Sequence, residues 1–366
     1  MTYSEAFYPT FYEKKGRSYA VAAPFLNGTI MKPVFAPNYY NQFKCVAAAC
    51  RHSCCVGWEI DVDAEALTRY DRVGGELGER LKACIDREAD PPCFVLTHDE
   101  RCPFLNQNGL CDLITELGED SLCHICADHP RFRNILPDRV ELGLGLCCEA
   151  AARLILSQTE YTEVEELSPE DAARDRYAHE EAEENDGFSR LGSRIRDNCL
   201  HIGQNRRYPM GERTNFMVAV LGYGRSYPDF TFAEWAEILL DTEELDPARR
   251  ELFASLATLT DSPDAELMEE RDLVYEKLLC YFLYRYLALE GRDFMEWGYL
   301  IRIGFAVLST ILIHAMARAT GKTSFEEVCE IARVYSSEIE YSEENLDCLW
   351  DIIREDTVQP PKDRHE

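Results

Sequence analysis

Cysteine is the residue type through which this chain is equipped for chemistry. Twelve of its sixteen cysteines lie between Cys45 and Cys148. They open as Cys45-x4-Cys50-x3-Cys54-Cys55 and continue through Cys102-x8-Cys111, Cys123-x2-Cys126 and Cys147-Cys148. Thiolates at short, fixed separations are ligands for soft metals, so zinc or an iron-sulfur group is the first chemistry to test. One centre assembled from distant segments is the economical arrangement. Gly57, Pro103 and Gly109 stand where ligand loops need turns. Disulfides and buried inert thiols compete with this reading, although the neighbours Cys54 and Cys55 bridge each other poorly. His98, His124 and His129 lie among the thiols as candidate nitrogen ligands, a role that lone histidines fill less often than hydrogen-bonding or surface roles. Arg131 and Arg133 follow Cys126 and either donate to cluster sulfurs or pair with carboxylates.

The elements that must hold these thiols read as mainly α. A chain of 366 residues, 46% hydrophobic, can bury a sizeable core. Residues 1–36 form an N-terminal arm, 37–158 a cysteine-rich domain of short helices and loops, 159–186 an acidic boundary, 187–357 a helical domain and 358–366 a tail. The arm carries enough tyrosine and phenylalanine to dock on another surface. Asp63 is placed to cap a helix containing Leu67 and Tyr70, which Gly74-Gly75 would end. Ser168-Pro169-Glu170-Asp171 offers an N-cap, a proline at N1 and an acidic N3. Thr231-x-x-Glu234 and Ser324-x-x-Glu327 are capping boxes ahead of apolar periodic stretches. Gly291 follows a strongly apolar run over residues 275–289. Strand-like alternation is scarce, and there is no internal repeat.

The formal net charge of -29 excludes a nucleic-acid backbone as a good partner and favours a cationic, lysine-bearing one, unless the acidity serves solubility alone. Residues 20–26 are apolar behind Lys14, Lys15 and Arg17, but the run is short and contains Pro24, so it does not read as an export signal. Residues 300–316 are the most membrane-like segment. Arg302 and His314 confine the uninterrupted apolar part to 303–313, too short to span, so a helix buried in protein is expected, with no membrane partner and a cytoplasmic location.

A resemblance adds to this. Tyr39-Tyr40-x2-Phe43-Lys44-Cys45-x4-Cys50-x3-Cys54-Cys55-x-Gly57-Trp58-x-Ile60-x-Val62-Asp63, then Cys102-Pro103-Phe104-Leu105-x3-Gly109-Leu110-Cys111, Leu122-x3-Cys126-x3-Pro130-Arg131 and Leu146-Cys147-x-Glu149, resembles the flagellin lysine-N-methylase (FliB) family. It is similar, more distantly, to small zinc- or iron-chelating cysteine domains. The resemblance is specific over about residues 37–156 and fainter in the aromatic helices beyond. It implies methyl transfer from S-adenosylmethionine to lysine amines of flagellin, with an iron-sulfur cluster of the [4Fe-4S] type, zinc being the alternative. Carried over position by position, it implies the ligand set Cys45, Cys50, Cys54, Cys55, Cys102, Cys111, Cys126 and Cys147, of which Cys50, Cys54, Cys55 and Cys126 come first. That exceeds the four a cubane takes, so some are structural. The chain departs from the family pattern in residues 1–31, at Cys123, and at Cys148, where a proline is expected.

No catalytic residue or donor pocket can be assigned. Glu141-Leu142-Gly143-Leu144-Gly145-Leu146-Cys147 comes near a nucleotide-binding glycine turn but lacks its third glycine, and Cys147 sits better with the thiols. Tyr275, Tyr281, Tyr284, Tyr286, Trp297 and Tyr299, with Glu276 and Glu296, could receive a lysine. At helical spacing, however, Leu278, Leu279, Phe282, Tyr286 and Leu289 read first as core. Arg285 in that run snorkels or anchors a buried carboxylate, with snorkelling preferred. A non-catalytic zinc or iron-sulfur interaction module, or a redox carrier, is the alternative to an enzyme.

Overall fold

A computed structural model describes residues 25–26, 29–30, 32–173, 188–220, 226–267, 269–287 and 298–358. The aromatic residues of the N-terminal arm before residue 25, most of the acidic run, Gly291, Glu296, Trp297 and the tail after 358 lie outside the described residues. What is described is mainly α, as expected.

Local rules account for several helix starts. Helix α1, Ala64–Tyr70, begins where the Asp63 carboxylate accepts the Ala66 N–H at 2.8 Å. The other oxygen of Asp63 takes the His124 N–H at 2.7 Å, tying α1 to a segment sixty residues away. Gly74-Gly75 does not end α1, which has stopped at Tyr70. The backbone N–H groups of Arg72 and Val73 turn back onto Arg69 and Tyr70. The glycines instead open α2, Gly75–Cys84, with Gly75 at φ +71°, a conformation costly for other residues. Ser168 caps the single turn Pro169–Ala172, and both capping boxes form, at the starts of Phe232–Asp241 and Phe325–Ile339.

A four-stranded sheet is the main departure from the sequence reading. Strand β1, Val34–Pro37, lies parallel to β3, Arg139–Leu144, which pairs antiparallel with β2, Arg131–Leu136. On the other edge β1 pairs antiparallel with β4, Val164–Glu166, so part of the acidic boundary is structured. The near-match to a nucleotide loop is therefore the end of β3 and the turn after it. Its glycines serve packing. A Cβ at Gly143 would enter the Phe132 ring, and one at Gly145 would meet the Tyr341 hydroxyl.

The main core belongs to the helical half. Short helices α3, Asp112–Leu117, and α4, His124–Asp128, lie between β1 and β2 in the chain, and α5, Glu149–Leu156, between β3 and β4. Then come α6, Phe188–Gly203, α7, Met210–Val220, α8, Phe232–Asp241, and α9, Arg249–Ser255. The last four are α10, Leu273–Leu287, α11, Gly298–Thr320, α12, Phe325–Ile339, and α13, Glu343–Val358. Helix α11 packs against α10, α12 and α13, while α5 lies on α10 and α12. The end of the cysteine-rich region is thereby built into the helical core. Leu278, Leu279, Phe282 and Tyr286 are buried there, as core spacing predicts, and Leu289 lies outside the described residues.

By length and composition α11 could cross a membrane, with a mean hydropathy of 1.9, but 94% of that window is buried inside the fold. It is a buried helix, as read, and longer than its apolar run because both polar interruptions are partnered. Arg302 stacks over Trp350, 5.9 Å from the ring centroid, and His314 sits between Glu266 and Glu270 at 2.6 and 2.9 Å. Arg285 does not snorkel. Its side chain is 12% exposed, the guanidinium 3.4 Å from the Glu340 carboxylate and over the rings of Phe132, Tyr286 and Tyr341.

Candidate metal centre

All sixteen cysteines carry free thiols. Four kinds of local structure bring nine of them into company. The loop 45–55 follows two single turns, Tyr40–Gln42 and Ala47–Ala49, in which the Ala47 N–H reaches the Cys45 sulfur at 3.4 Å. Cys55 is then fixed by a short bridge. Its carbonyl accepts the Cys102 N–H at 2.8 Å, Val56 pairs with Arg101, and Gly57 at φ +78° allows its N–H to reach Glu100. Next, Cys102 and Cys111 meet at the mouth of one turn. The Asn106 side chain takes the N–H groups of Asn108 and Leu110 at 2.9 and 3.1 Å, Gly109 adopts φ +72°, and Leu105 pairs with Cys111. Finally Cys111, Cys123 and Cys148 stand at the N-caps of α3, α4 and α5. Unpaired N–H groups of a first helical turn favour a thiolate.

The thiols occupy two neighbourhoods joined at the hydrogen-bonded pair Cys54–Cys55. Cys55, Cys102, Cys111, Cys123 and Cys126 share the small apolar core under α1 and α2, with Phe94 and Phe104. Burial pushes Cys102 up to about 12, and the charges of Cys55, Cys111 and Cys123 add to it. Burial likewise raises Cys111, against the pull of the Ile114 and Leu113 N–H groups. Cys126 donates to Cys123, so Cys126 is raised and Cys123 lowered. In the other group, burial raises Cys50 and Cys148, and Cys45 acts on both. Cys54 joins them. Its hydrogen bond to Cys55 and desolvation raise it, followed by the charges of Cys55, Cys148 and Cys45. The same bond lowers Cys55. Such a pair gives up one proton readily and holds the second.

Glu149 ties the second group together. This carboxylate is only 6% exposed, accepts the Arg51 N–H and Nε at 2.9 and 3.0 Å, and lies 3.8 Å from the Cys50 sulfur. Burial would raise Glu149, but the hydrogen bonds from Arg51 hold it below the usual carboxylate range. His52 reaches Glu330 of α12 at 3.1 Å, which docks the loop on the helical half.

Cys147 stands outside both groups. It is buried, hydrogen-bonded to the Tyr341 hydroxyl, and pushed up to about 12 by burial. Tyr341 in turn lies edge-on to Trp58 at 5.6 Å, and Tyr281 accepts the Leu146 N–H at 3.3 Å while bonding to Glu340. This network holds the Cys147 segment by its backbone and leaves Cys148 facing the thiols.

Other candidates from the sequence fall elsewhere. Arg131 lies over Phe43, and Arg133 pairs with Asp128 at 3.0 Å. His98 is fully exposed beside Asp99, His124 is 3.6 Å from Asp63, and burial lowers His129 to about 4. Cys84 ends α2 and packs against the same small apolar core as Cys102, while Cys93 lies in a short two-strand pair beside Asp86, Glu59 and Asp61. Cys148 and Glu149 were not assigned by sequence. Their signal was a Cys-Cys-Glu run ahead of an apolar helix, the pattern of an N-cap with an acidic first turn.

The donor set fits a thiolate-bound inorganic group: buried sulfurs whose ionisation is costly until a cation offsets their charge. Among the described residues no three His, Cys, Asp or Glu side chains close around one point as a single ion would require. A cavity of about 190 Å³ between α11 and α13, lined by Arg302, Asp347, Trp350, Asp351 and Arg354, is below the roughly 300–1,000 Å³ of cofactor pockets.

Residues 226–361 match the family described as the FliB lysine N-methylase C-terminal domain. This is the half where the resemblance had read as fainter. The chain is 26% identical over 136 residues to a lysine-N-methylase of Salmonella choleraesuis and 26% identical over 137 residues to one of Salmonella typhimurium. Each match covers 34% of this chain and 32% of the relative, so the likeness spans about a third of those proteins. The flagellar biosynthetic protein FliU of Salmonella muenchen is also 26% identical over 137 residues, 34% of this chain and 77% of FliU. No solved structure matches.

Proposed function

From the match of residues 226–361 to the FliB lysine N-methylase C-terminal domain, we propose that this protein is an S-adenosylmethionine-dependent methyltransferase acting on lysine side chains of flagellin, with an iron-sulfur group held by its cysteines. Relatives bearing the name lysine-N-methylase support a methyltransferase, and the match over residues 226–361 is the observation that carries the reading. Those helices hold the Cys147–Glu149 segment through Tyr341, Arg285 and Glu340, which ties thiols and methylase half into one packed unit.

In the reaction a neutral lysine amine attacks the sulfonium methyl. The new N–C bond forms as the C–S bond breaks, the thioether leaves, and the amine proton passes to solvent. The strongly acidic chain favours approach of a lysine-bearing surface. Cys45, Cys50, Cys54, Cys55, Cys102, Cys111 and Cys126 are the ligands we assign to the inorganic group. Cys148 takes the place of Cys147. Zinc–sulfur bonds of about 2.3 Å set tetrahedral sulfurs about 3.8 Å apart, and thiols gathered in pairs suit a polynuclear group better than that closed shell. Sixteen free thiols suit a reducing compartment and support the reading of a cytoplasmic protein.

Anaerobically purified protein, incubated with methyl-labelled S-adenosylmethionine and flagellin, should produce lysine mass shifts of one methyl. Unlabelled flagellin with the metal fully loaded would overturn the enzymatic reading and leave a metal-binding interaction module.

A further inference from the structure

We propose that the cavity between α11 and α13 binds the α-amino-acid end of a small zwitterion, which in the methyltransferase proposed above is the methionine end of S-adenosylmethionine. The identity of the ligand rests on the methyl-transfer reading; the place and chemistry of the site go beyond it.

The polar lining carries balanced charge. Asp347, Trp350, Asp351 and Arg354 recur along α13 at spacings of three and four residues, which puts them on one helical face, and Arg302 of α11 completes the set. Asp351 and Arg354 form an ion pair with each other. The rest of the polar lining is one guanidinium, one carboxylate and one indole. An α-amino acid presents the complement, a carboxylate and an ammonium on a single carbon. Arg302 is only 8% exposed and suits the carboxylate, because burial works against its charge and an anion offsets that cost. The Trp350 Nε1 is buried with no hydrogen-bond partner among the described residues, so a second donor stands in the same wall. Its ring is held by the main core, edge-on to Tyr286 and Phe305 at 5.8 and 6.2 Å. Asp347 is exposed and outside any ion pair among the described residues, which suits it to the ammonium. At about 190 Å³ the cavity is too small for a whole nucleotide donor, so only the amino-acid end enters and the nucleoside stays outside. A net charge of -29 disfavours a free anion here, whereas a sulfonium and an ammonium against one carboxylate make the donor a net cation. Every residue of this lining falls within the matched segment 226–361.

Calorimetric titration of anaerobically purified full-length protein tests this without turnover. S-adenosylmethionine and its demethylated product, S-adenosylhomocysteine, should bind, methionine should bind more weakly, and methylthioadenosine, which lacks the amino-acid end, should give no measurable heat. Asp347→Asn should weaken donor binding about tenfold or more. Trp350→Phe, which keeps a ring and removes the Nε1 donor, should weaken it several-fold. Because Asp347 is exposed, its variant should keep the wild-type urea midpoint, which separates lost binding from lost folding. Unchanged donor affinity in both variants would overturn the site and leave the methyl-transfer reading standing. Methylthioadenosine binding as tightly as the donor would overturn the amino-acid-end assignment. Absence of donor binding to the wild type would overturn the proposal outright, and the flagellin labelling above then decides the methyl-transfer reading on its own.

Discussion

His314 offers a test of the helical half that the structure makes quantitative. Its Nδ1 lies 2.6 Å from Glu266 and its Nε2 2.9 Å from Glu270, and its ring stands edge-on to Tyr275 at 4.5 Å. Burial alone would lower its pKa, but the two carboxylates overcome that and raise it from 6.5 to about 9. At about 1.4 kcal/mol per unit, the charged imidazole contributes about 3 kcal/mol to folding, little screened because the side chain is only 15% exposed. The folded pKa is raised, so this contribution is fully present below the unfolded value of 6.5 and is lost as pH rises through about 9. Glu270 works in the opposite sense. Its hydrogen bond to His314 lowers it to about 2, so its share is present above its usual 4.5 and is lost as pH falls towards 2.

The perturbation is His314→Gln, which keeps a polar side chain and removes the charge. Urea unfolding of wild type and variant, followed by tryptophan fluorescence in reductant, should give a stability gap of about 3 kcal/mol near pH 6. That gap should shrink steeply by about pH 9.5. Taking the difference between proteins cancels groups that titrate equally in both. A gap that stays constant from pH 6 to 9.5 would show that the imidazole is not held charged between these carboxylates.

Further expectations follow from other contacts. Glu340→Gln leaves Arg285 buried without its carboxylate and should cost about 3–5 kcal/mol in the same unfolding assay; a loss under about 1 kcal/mol would mean that the arginine finds water. Glu149→Gln frees Arg51 and the Cys50 loop, and should lower iron retained after gel filtration without changing far-ultraviolet circular dichroism. Unchanged iron would remove Glu149 from the site. Gly143→Ala drives a methyl into the Phe132 ring and should destabilise by about 1–3 kcal/mol, read as a lower urea midpoint at constant slope.

What could be read in the sequence was what local rules govern. Asp63, Ser168, Thr231 and Ser324 each cap a helix through bonds spanning three residues, so the pattern and the contact lie in the same few positions. The sheet was not legible, because β1 and β3 pair across more than one hundred residues and β3 is buried along most of its length, which erases alternation. Arg285 was misjudged for a related reason. Its carboxylate partner, Glu340, arrives from the turn between α12 and α13, and nothing near Arg285 in sequence announces it. The cysteine spacings made ligation the first chemistry to propose, but which thiol meets which is a tertiary fact. Cys147 and Cys148 are indistinguishable by spacing, and only the Tyr341 hydroxyl, brought by α12 and the turn after it, separates them.

That separation bears on how the two halves depend on each other. Tyr341 and Glu340 lie in the matched methylase segment, between α12 and α13, and they hold the turn that carries Cys147. Cys148 is the next residue and begins α5, which packs on α10 and α12. A change that loosens α12 must therefore move Cys148, and a cation bound by the thiols beside Glu149 would in turn stabilise α5 against the helical core, since binding to the folded state alone shifts the folding equilibrium. The physical expectation is reciprocal: metal bound at the cysteines raises the stability of the helices, and helix packing raises the affinity of the cysteines for metal by the same free energy. In the methyltransferase proposed above, an inorganic group at the cysteines would matter to activity by holding the helical half in register, without touching the reacting atoms.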